Sequence, residues 1–203
     1  MAIARLSAVE RKQAIVDCAT VLFAEKGFRG VTTRELAHAV GVSEPVLYQH
    51  FSTKRDLYEA IIESKTLEVE ASIGGQPDLS LPDQTILLDL SEKIWRWHDD
   101  DATLSRLLLF SALEGHEFSD IFFARHASRF FEGLRRYFES RIEEGKYRPV
   151  DPGVAAFAFI GMIKHYSMAI CLHHFDPDPK PRKEVIRQMV DLFLNGIQEG
   201  NSK

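Results

Sequence analysis

The sequence contains little cysteine and no long apolar run, and each shortage excludes a kind of protein. Cys18 and Cys171 are the two cysteines among 203 residues, lie far apart and belong to no CxxC pair, so no disulfide framework is expected. No stretch of about 18 consecutive apolar residues is present, the length that suggests a membrane-spanning helix. The start MAIARLSAVERKQ also lacks the apolar region of a signal peptide. We expect a cytoplasmic protein with reduced cysteines and no membrane partner.

Motifs of the common catalytic and metal sites are absent too. There is no HExxH, no Gly-rich phosphate loop and no nucleophile elbow. Histidines lie beside acidic residues at three places: His98 with Asp99 to Asp101, His116 with Glu114 and Glu117, and His173-His174 before Asp176. None of these forms two opposed i,i+4 ligand pairs. We expect no metal, no cofactor and no enzymatic activity, with a helical hydrolase or lyase built on these clusters as an alternative.

The charge is unevenly distributed along the chain. With 25 Lys and Arg against 30 Asp and Glu, the net charge is −5, which by itself does not suggest a protein that coats nucleic acid. Up to Tyr58, however, 8 basic residues face 6 acidic ones, a balance of +2, whereas the remainder carries 17 against 24. A slightly basic N-terminal segment therefore precedes an acidic body.

Apolar residues recur with a period of 3.6 along the whole chain, and no stretch alternates with period 2, so the fold class is predicted to be all-α. Capping boxes begin the first two helices, Ser7 with Glu10 and Thr32 with Glu35. A Gly- and Pro-rich linker is predicted at 74–84. The predicted helices are 7–27, 33–40, 43–50, 54–73, 85–97, 102–113, 119–144, 152–173 and 182–198.

The segment TTRELAHAVGVSEPVLYQHF, residues 32–51, has the pattern of a helix-turn-helix. A small residue, Ala37, lies where the two helices cross, and Gly41 lies where the chain turns sharply. Ser43 can cap the second helix, while Val42 and Leu47 face inward. The second helix is short, and its outward residues are polar: Ser43, Glu44, Gln49 and His50. An exposed polar face on such a helix is typical of one that reads DNA bases.

From Ser7 to about Ile62 the chain resembles the N-terminal domain of the tetracycline-repressor (TetR) family. AxxLFAEKGFRGVTTRELAHAVGVSEPVLYQHFSTKRDLYEAI lies in register with the family pattern, and its most specific parts are the joint from Phe28 to Thr33, VSxPxLYxHF and the Lys54 that follows. The resemblance implies a three-helix helix-turn-helix DNA-binding domain over 1–68. It also implies a helical bundle for ligand binding and dimerisation over 69–203.

The resemblance further implies that Thr33, Tyr48, His50 and Lys54 contact the DNA backbone and that Arg34 reads a base. Independently, Thr33 and Lys54 lie near helix N-termini, where the dipole favours phosphate. An arginine pairs with guanine O6 and N7, and a glutamate accepts from the cytosine amino group. The predicted DNA-contacting residues are Thr33, Arg34, Ser43, Glu44, Pro45, Val46, Tyr48, His50 and Lys54.

Three of these residues also have an ordinary structural interpretation. Tyr48 is an amphipathic residue that can pack against the domain. Lys54 is a solvated surface charge when considered alone. Glu44 is a favourable negative charge in a first helical turn. Without the family pattern these interpretations are favoured for Tyr48 and Lys54.

The body carries the features of an assembly and sensing domain. The last helix has one apolar stripe, and the preceding helix is apolar nearly all round. The family arrangement implies a homodimer through these last two long helices. Many aromatic residues, with histidine and methionine, suit a cavity for a flat or hydrophobic ligand. The predicted lining residues are Trp95, Phe110, Phe123, His126, Phe130, Phe157, Met162, His165 and Tyr166.

Together these observations predict a sequence-specific transcriptional regulator. We expect a homodimeric repressor that is released from double-stranded operator DNA by a small hydrophobic or aromatic effector. A helical protein whose N-terminal domain docks a protein partner instead of DNA is the second alternative.

Overall fold

The computed structural model describes residues 7–73, 78–99, 102–115, 117–176 and 178–198. Over these residues the chain forms α-helices, one π-helical turn and a single isolated antiparallel bridge between Tyr147 and Gln198, which confirms the all-α class. The helices are α1 (Ala8–Lys26), α2 (Thr33–Val40), α3 (Glu44–His50), α4 (Lys54–Ile73), α5 (Asp83–Asp99), α6 (Thr103–Glu114), α7 (Glu117–Phe122), α8 (Ser128–Glu143), α9 (Pro152–Cys171) and α10 (Arg182–Ile197).

The chain divides into two compact units. The N-terminal unit contains 1–69 together with 103–124, and the C-terminal unit contains 70–102 together with 125–203. Helix α6 therefore packs with the N-terminal helices, although the sequence analysis placed all of 69–203 in the second domain. Leu107 of α6 is completely buried in the same core as Phe23 and Tyr58. Leu107 therefore contributes to the apolar core that α1 to α4 form.

Local signals set the N-terminal helices as predicted. Both capping boxes are present, at Ser7 and at Thr32, and Gly41 ends α2 in the left-handed conformation with φ of 77°. The prediction that Ser43 caps α3 is wrong, because its side chain makes no capping hydrogen bond. Its carbonyl oxygen instead accepts from the N–H groups of Val46 and Leu47.

The helix predicted at 119–144 is interrupted. A π-helical turn at Phe123–Ala127 separates α7 from α8. The chain passes from the N-terminal to the C-terminal unit within this turn. A π turn inserts residues into the helical repeat and shifts the apolar face, a change that apolar periodicity alone did not reveal.

Smaller differences affect the ends of other helices. Helix α5 begins at Asp83, inside the predicted linker, and ends at Asp99, and α9 ends at Cys171 rather than at His173. Residues 74–77 of the linker, Asp100, Asp101 and His116 lie outside the described residues, as do the side chains of Trp97, His98, Glu117 and His126. The histidine clusters around His98 and His116 therefore fall outside the described part of the chain.

The C-terminal unit is a bundle of α5, α8, α9 and α10 around one apolar core. Leu87, Phe138, Phe159 and Val190 are among its completely buried side chains. One charged side chain is buried at its edge: Arg141, 6% exposed, whose Nε lies 2.7 Å from Asp83 Oδ1. Arg141 also donates to the carboxylate of Glu144 and to the carbonyl of Leu79. It thereby joins the end of α8 to the start of α5.

Helix α9 is strongly apolar along its length. By length and composition alone it is long and apolar enough to cross a membrane, although interruptions such as Lys164 and His165 kept it from being counted as one apolar run. Its buried side, with Ala156, Phe159 and Ile163, packs in the bundle core. A core helix of a folded domain passes the same test, so the composition of α9 does not establish a membrane span.

Candidate nucleic-acid interface

Helices α2 and α3 form the helix-turn-helix, and buried apolar contacts fix their arrangement. The joint between them is closed by hydrogen bonds from Gly41 N to His38 O (3.1 Å) and from Val42 N to Ala37 O (2.9 Å). Ala37 and Leu47 are buried in the core of the N-terminal unit. Glycine adopts the positive φ of this turn without a Cβ penalty, and the small side chain of Ala37 is buried where the helices pack, so these motif residues lie as the sequence predicts.

The first residues of α2 and α3 are joined directly. The Thr33 hydroxyl donates to the Glu44 carboxylate at 2.9 Å, and both side chains are half-buried. The sequence pattern predicts separate DNA contacts for these two residues and does not indicate the bond. No linear signal indicates it, because the residues are 11 positions apart and meet only when the turn has formed.

Lys54, the first residue of α4, has a structural role that the sequence did not show. Its ammonium group donates to the carbonyls of Phe28 (2.9 Å) and Val31 (2.8 Å) and lies 4.2 Å from the centroid of the Phe28 ring. Partial burial lowers the pKa of Lys54, while the nearby Glu114 carboxylate opposes that change. Lys54 thus fastens the loop before α2 to the start of α4, near the predicted phosphate contacts.

The remaining predicted contacts differ in exposure. Arg34, Ser43 and Pro45 are exposed, and Tyr48 is 45% exposed, so it is not a core residue. Val46 and His50 are half-buried. All nine predicted residues lie on α2, α3, the turn between them or the first residue of α4, which places them on neighbouring elements of one unit.

The sequence did not indicate the polar contacts of Glu114 either. Its carboxylate accepts from the backbone N–H groups of Phe28 and Arg29, and its carbonyl oxygen accepts from the Arg29 guanidinium. This fastens the end of α6 to the loop between α1 and α2. The residues are more than 80 positions apart, so sequence spacing gave no indication of the contact.

The predicted ligand-lining residues do not share one environment. Phe110 and the exposed Phe123 belong to the N-terminal unit, whereas the others belong to the C-terminal unit. Trp95 is buried, and its ring lies 5.7 Å from that of Tyr166. Phe157 is 69% exposed and lies 4.7 Å from Phe131. Phe130 and Met162 are half-buried, and His165 is exposed.

A cavity of about 780 Å³ is present in the C-terminal unit, but other residues line it. Its apolar lining comes from Leu79, Phe131 and Tyr137, and its charged lining comes from Arg129, Glu132 and Arg136. The carboxylate of Glu132 pairs with Arg136, so the charged wall of this cavity is already partly neutralised. Among the residues whose side chains the structure describes, none of the predicted lining residues lines this cavity.

The fold and the helix-turn-helix define a DNA-binding regulator with a separate helical domain. A family model described as bacterial regulatory proteins of the tetR family matches residues 15–61. A second, described as the C-terminal domain of AefR-like transcriptional repressors, matches residues 97–196. The two matches cover the helix-turn-helix and most of the body.

Individual proteins agree with these matches. The nucleoid occlusion factor SlmA of Mannheimia succiniciproducens is 31% identical over 159 residues, which cover 73% of this chain and 70% of that protein. The TetR-family regulator PfmR of Thermus thermophilus superimposes with a TM-score of 0.67 at 26% identity, covering 91% of this chain and 99% of the other. AibR, solved with isovaleryl coenzyme A and operator DNA, shares the fold at a TM-score of 0.65 and 24% identity, covering 90% and 97%.

The chain belongs to the TetR family of transcriptional regulators. The family resemblance seen in the sequence is thereby confirmed.

Proposed function

We propose that the protein is a homodimeric transcriptional repressor that binds a specific operator and leaves it when a small hydrophobic or aromatic molecule binds the C-terminal domain. The observation that carries the proposal is the fixed helix-turn-helix, with α3 held by Leu47 and its polar side exposed. The matched C-terminal family, which is described by its repressors, supports repression rather than activation. Because the proposed partner is DNA, we place the protein in the cytoplasm.

The nine predicted residues of α2, α3 and α4 make the DNA contacts in this proposal. Arg34 is exposed in the first turn of α2 and reads a guanine, since its guanidinium matches guanine O6 and N7. Val46 contacts a thymine methyl group. Thr33, Tyr48, His50 and Lys54 bind phosphates, and Lys54 does so beside the two carbonyls that it already holds.

Exposed apolar residues on α9 and α10 support the homodimer. Val154 and Phe157 on α9, and Leu192 on α10, are each at least 65% exposed. Val154 and Leu192 line one shallow groove of the C-terminal unit, together with Ala158. Apolar side chains of this size on adjacent helices are expected to be covered by a partner. A two-fold dimer also places two reading helices about 34–36 Å apart on successive major grooves.

Support for a ligand comes from the aromatic residues of the body and from AibR, a protein of the same fold whose crystals contain isovaleryl coenzyme A. Trp95, Tyr166 and Phe130 are the aromatic residues of the C-terminal unit that we assign to its lining. For the ligand to release DNA, it must bind the DNA-incompetent arrangement more tightly than the competent one.

Fluorescence-anisotropy titration against the DNA upstream of the protein's own gene tests the proposal. We expect a sequence preference and a steep fall in affinity with salt, because basic side chains displace counterions from phosphates. Arg34→Ala is expected to cost about 1–3 kcal/mol and to relax the preference at one operator position. Binding that does not change with salt contradicts the proposal and favours a protein-docking function.

A thermal-shift screen with small hydrophobic compounds tests the ligand. Binding to the native state raises the apparent melting temperature. A compound that raises it is then added to the protein–DNA complex. Release of the operator is expected, and a stabilising compound that leaves the complex intact contradicts the inducer role.

A further inference from the structure

One hydrogen bond connects the two helices of the helix-turn-helix at their first residues. Thr33 is the first residue of α2 and Glu44 the first residue of α3. The Thr33 hydroxyl donates to Glu44 Oε2 at 2.9 Å. Within the described part of the chain, Thr33 is the one side chain that pairs with the Glu44 carboxylate. The bond therefore occupies the single hydroxyl proton of Thr33 and satisfies one oxygen of Glu44.

We propose that Thr33 and Glu44 act as one coupled specificity element. In this arrangement the Thr33 hydroxyl donates to a DNA phosphate only where the operator presents an amino group, cytosine N4 or adenine N6, to Glu44. This inference rests on the proposed operator binding and names the chemistry that the operator offers at this position.

The coupling follows from the number of protons available. A threonine hydroxyl has one proton to donate, and a backbone phosphate oxygen only accepts. When Thr33 donates to phosphate, its bond to Glu44 must break. The released carboxylate is an acceptor without a donor in an interface that excludes water and already contains phosphate charges, which is unfavourable. A new donor must replace the Thr33 hydroxyl.

The major groove supplies such donors only at certain bases. Cytosine presents its N4 amino group and adenine its N6 amino group, whereas guanine presents two acceptors and thymine one acceptor and a methyl group. Opposite cytosine or adenine, Glu44 exchanges the Thr33 hydroxyl for an amino group, and Thr33 becomes available for phosphate. Opposite guanine or thymine the exchange does not occur, and a phosphate contact is lost as well as a base contact.

A double-mutant cycle on operator binding tests the coupling. Thr33→Val, Glu44→Ala and the double variant are titrated, at one salt concentration, against the operator and against duplexes with each base pair changed in turn. We expect the wild-type protein to discriminate about tenfold or more at one base pair. Glu44→Ala reduces that discrimination to less than about threefold. In the Glu44→Ala background, Thr33→Val weakens binding to every duplex equally, whereas in the wild type it weakens binding mainly to duplexes with the correct base.

Two conservative variants make the test independent of folding. Thr33→Ser keeps the hydroxyl and is expected to retain the wild-type coupling. Glu44→Gln offers both an acceptor and a donor, which suits adenine N6 and N7, so it is expected to prefer adenine at the same position whether the wild type selects cytosine or adenine. Single-variant effects that multiply without interaction on every duplex overturn the coupling. A wild-type protein without any sequence preference would contradict the proposed function instead.

Discussion

The carboxylate of Glu114 accepts hydrogen bonds from the backbone N–H groups of Phe28 and Arg29, each at 3.1 Å. These groups belong to the loop that leads from α1 into α2, and Lys54 binds the same loop through the carbonyls of Phe28 and Val31. Glu114 therefore binds backbone N–H groups of the loop, and Lys54 binds its backbone carbonyl groups. Since Thr33 follows this loop immediately, these hydrogen bonds set the position of the first DNA-contacting residue in our proposal.

Replacing Glu114 is expected to weaken both folding and DNA binding. Glu114→Ala removes the carboxylate that two backbone donors share, one of them half-buried, which costs about 1–2 kcal/mol of unfolding free energy. Urea denaturation measures the loss. Glu25→Ala, an exposed change on α1, serves as the control and is expected to stay within about 0.5 kcal/mol of the wild type. Equal stability of the two variants would show that water replaces the carboxylate without cost.

Gly27→Ala is expected to be more damaging than its backbone conformation alone explains. Gly27 has φ of 73° and ψ of 175°, a backbone region that residues other than glycine rarely occupy. A Cβ there would lie 2.6 Å from Glu114 Oε1 and 2.8 Å from Phe110 Cδ1. Gly41→Ala is the comparison variant, because Gly41 has φ of 77° and ψ of 31°, the left-handed conformation that other residues can adopt at a cost, and nothing lies within 4 Å of its added Cβ.

The two variants compare a left-handed glycine without close neighbours with a glycine that is restricted both by its backbone region and by its contacts. Gly41→Ala is expected to cost about 1–2 kcal/mol, the penalty of left-handed backbone, and Gly27→Ala distinctly more in thermal or urea unfolding. Similar costs would mean that neither the backbone region of Gly27 nor its approach to Glu114 and Phe110 adds to that penalty.

These two glycines show which features of the fold the sequence predicts and which it does not. Gly41 follows an amphipathic helix and lies two residues before Ser43, so local pattern sufficed to predict its turn and, with it, the helix-turn-helix. The constraint on Gly27 comes from Glu114, which is 87 positions away, and no local pattern contains it. The Thr33–Glu44 bond and the π turn at Phe123–Ala127 were missed for the same reason: each depends on which surfaces meet after folding.

Removing the buried guanidinium of Arg141 is expected to destabilise the C-terminal unit. Arg141→Met preserves much of the side-chain volume but leaves Asp83, itself largely buried, without its partner at 2.7 Å. Breaking a buried ion pair from one side costs about 3–5 kcal/mol. Arg136→Met, which removes an exposed arginine paired with Glu132, is the control and is expected to change stability by less than about 0.5 kcal/mol. Calorimetric melting of both variants decides between a structural pair and an incidental one.

Acid is expected to remove the stabilisation that Glu35 provides. The Thr32 backbone N–H, the Lys26 ammonium and the Thr32 hydroxyl lower the pKa of Glu35 to about 2 from its usual 4.5. Because the folded-state pKa is the lower one, the charged form favours folding above pH 4.5, and this benefit disappears as the pH falls toward 2. Glu35→Gln should therefore be less stable than the wild type at about pH 6 and approach it at about pH 2.5 in urea titrations. A difference independent of pH would show that the carboxylate acts through packing alone.

Introducing charge on the exposed apolar face of α10 is expected to separate the proposed dimer. Leu192 is 71% exposed in the isolated chain, and at a two-fold subunit interface Leu192→Glu would bury two unpaired carboxylates, which is unfavourable. Sedimentation velocity at micromolar concentration should show a dimer for the wild type and a monomer for this variant. Val21→Glu, which changes an exposed valine on α1, should remain dimeric. Operator affinity should fall steeply for Leu192→Glu alone, because a monomer engages one half-site at a time. A wild-type monomer at this concentration would contradict the interface.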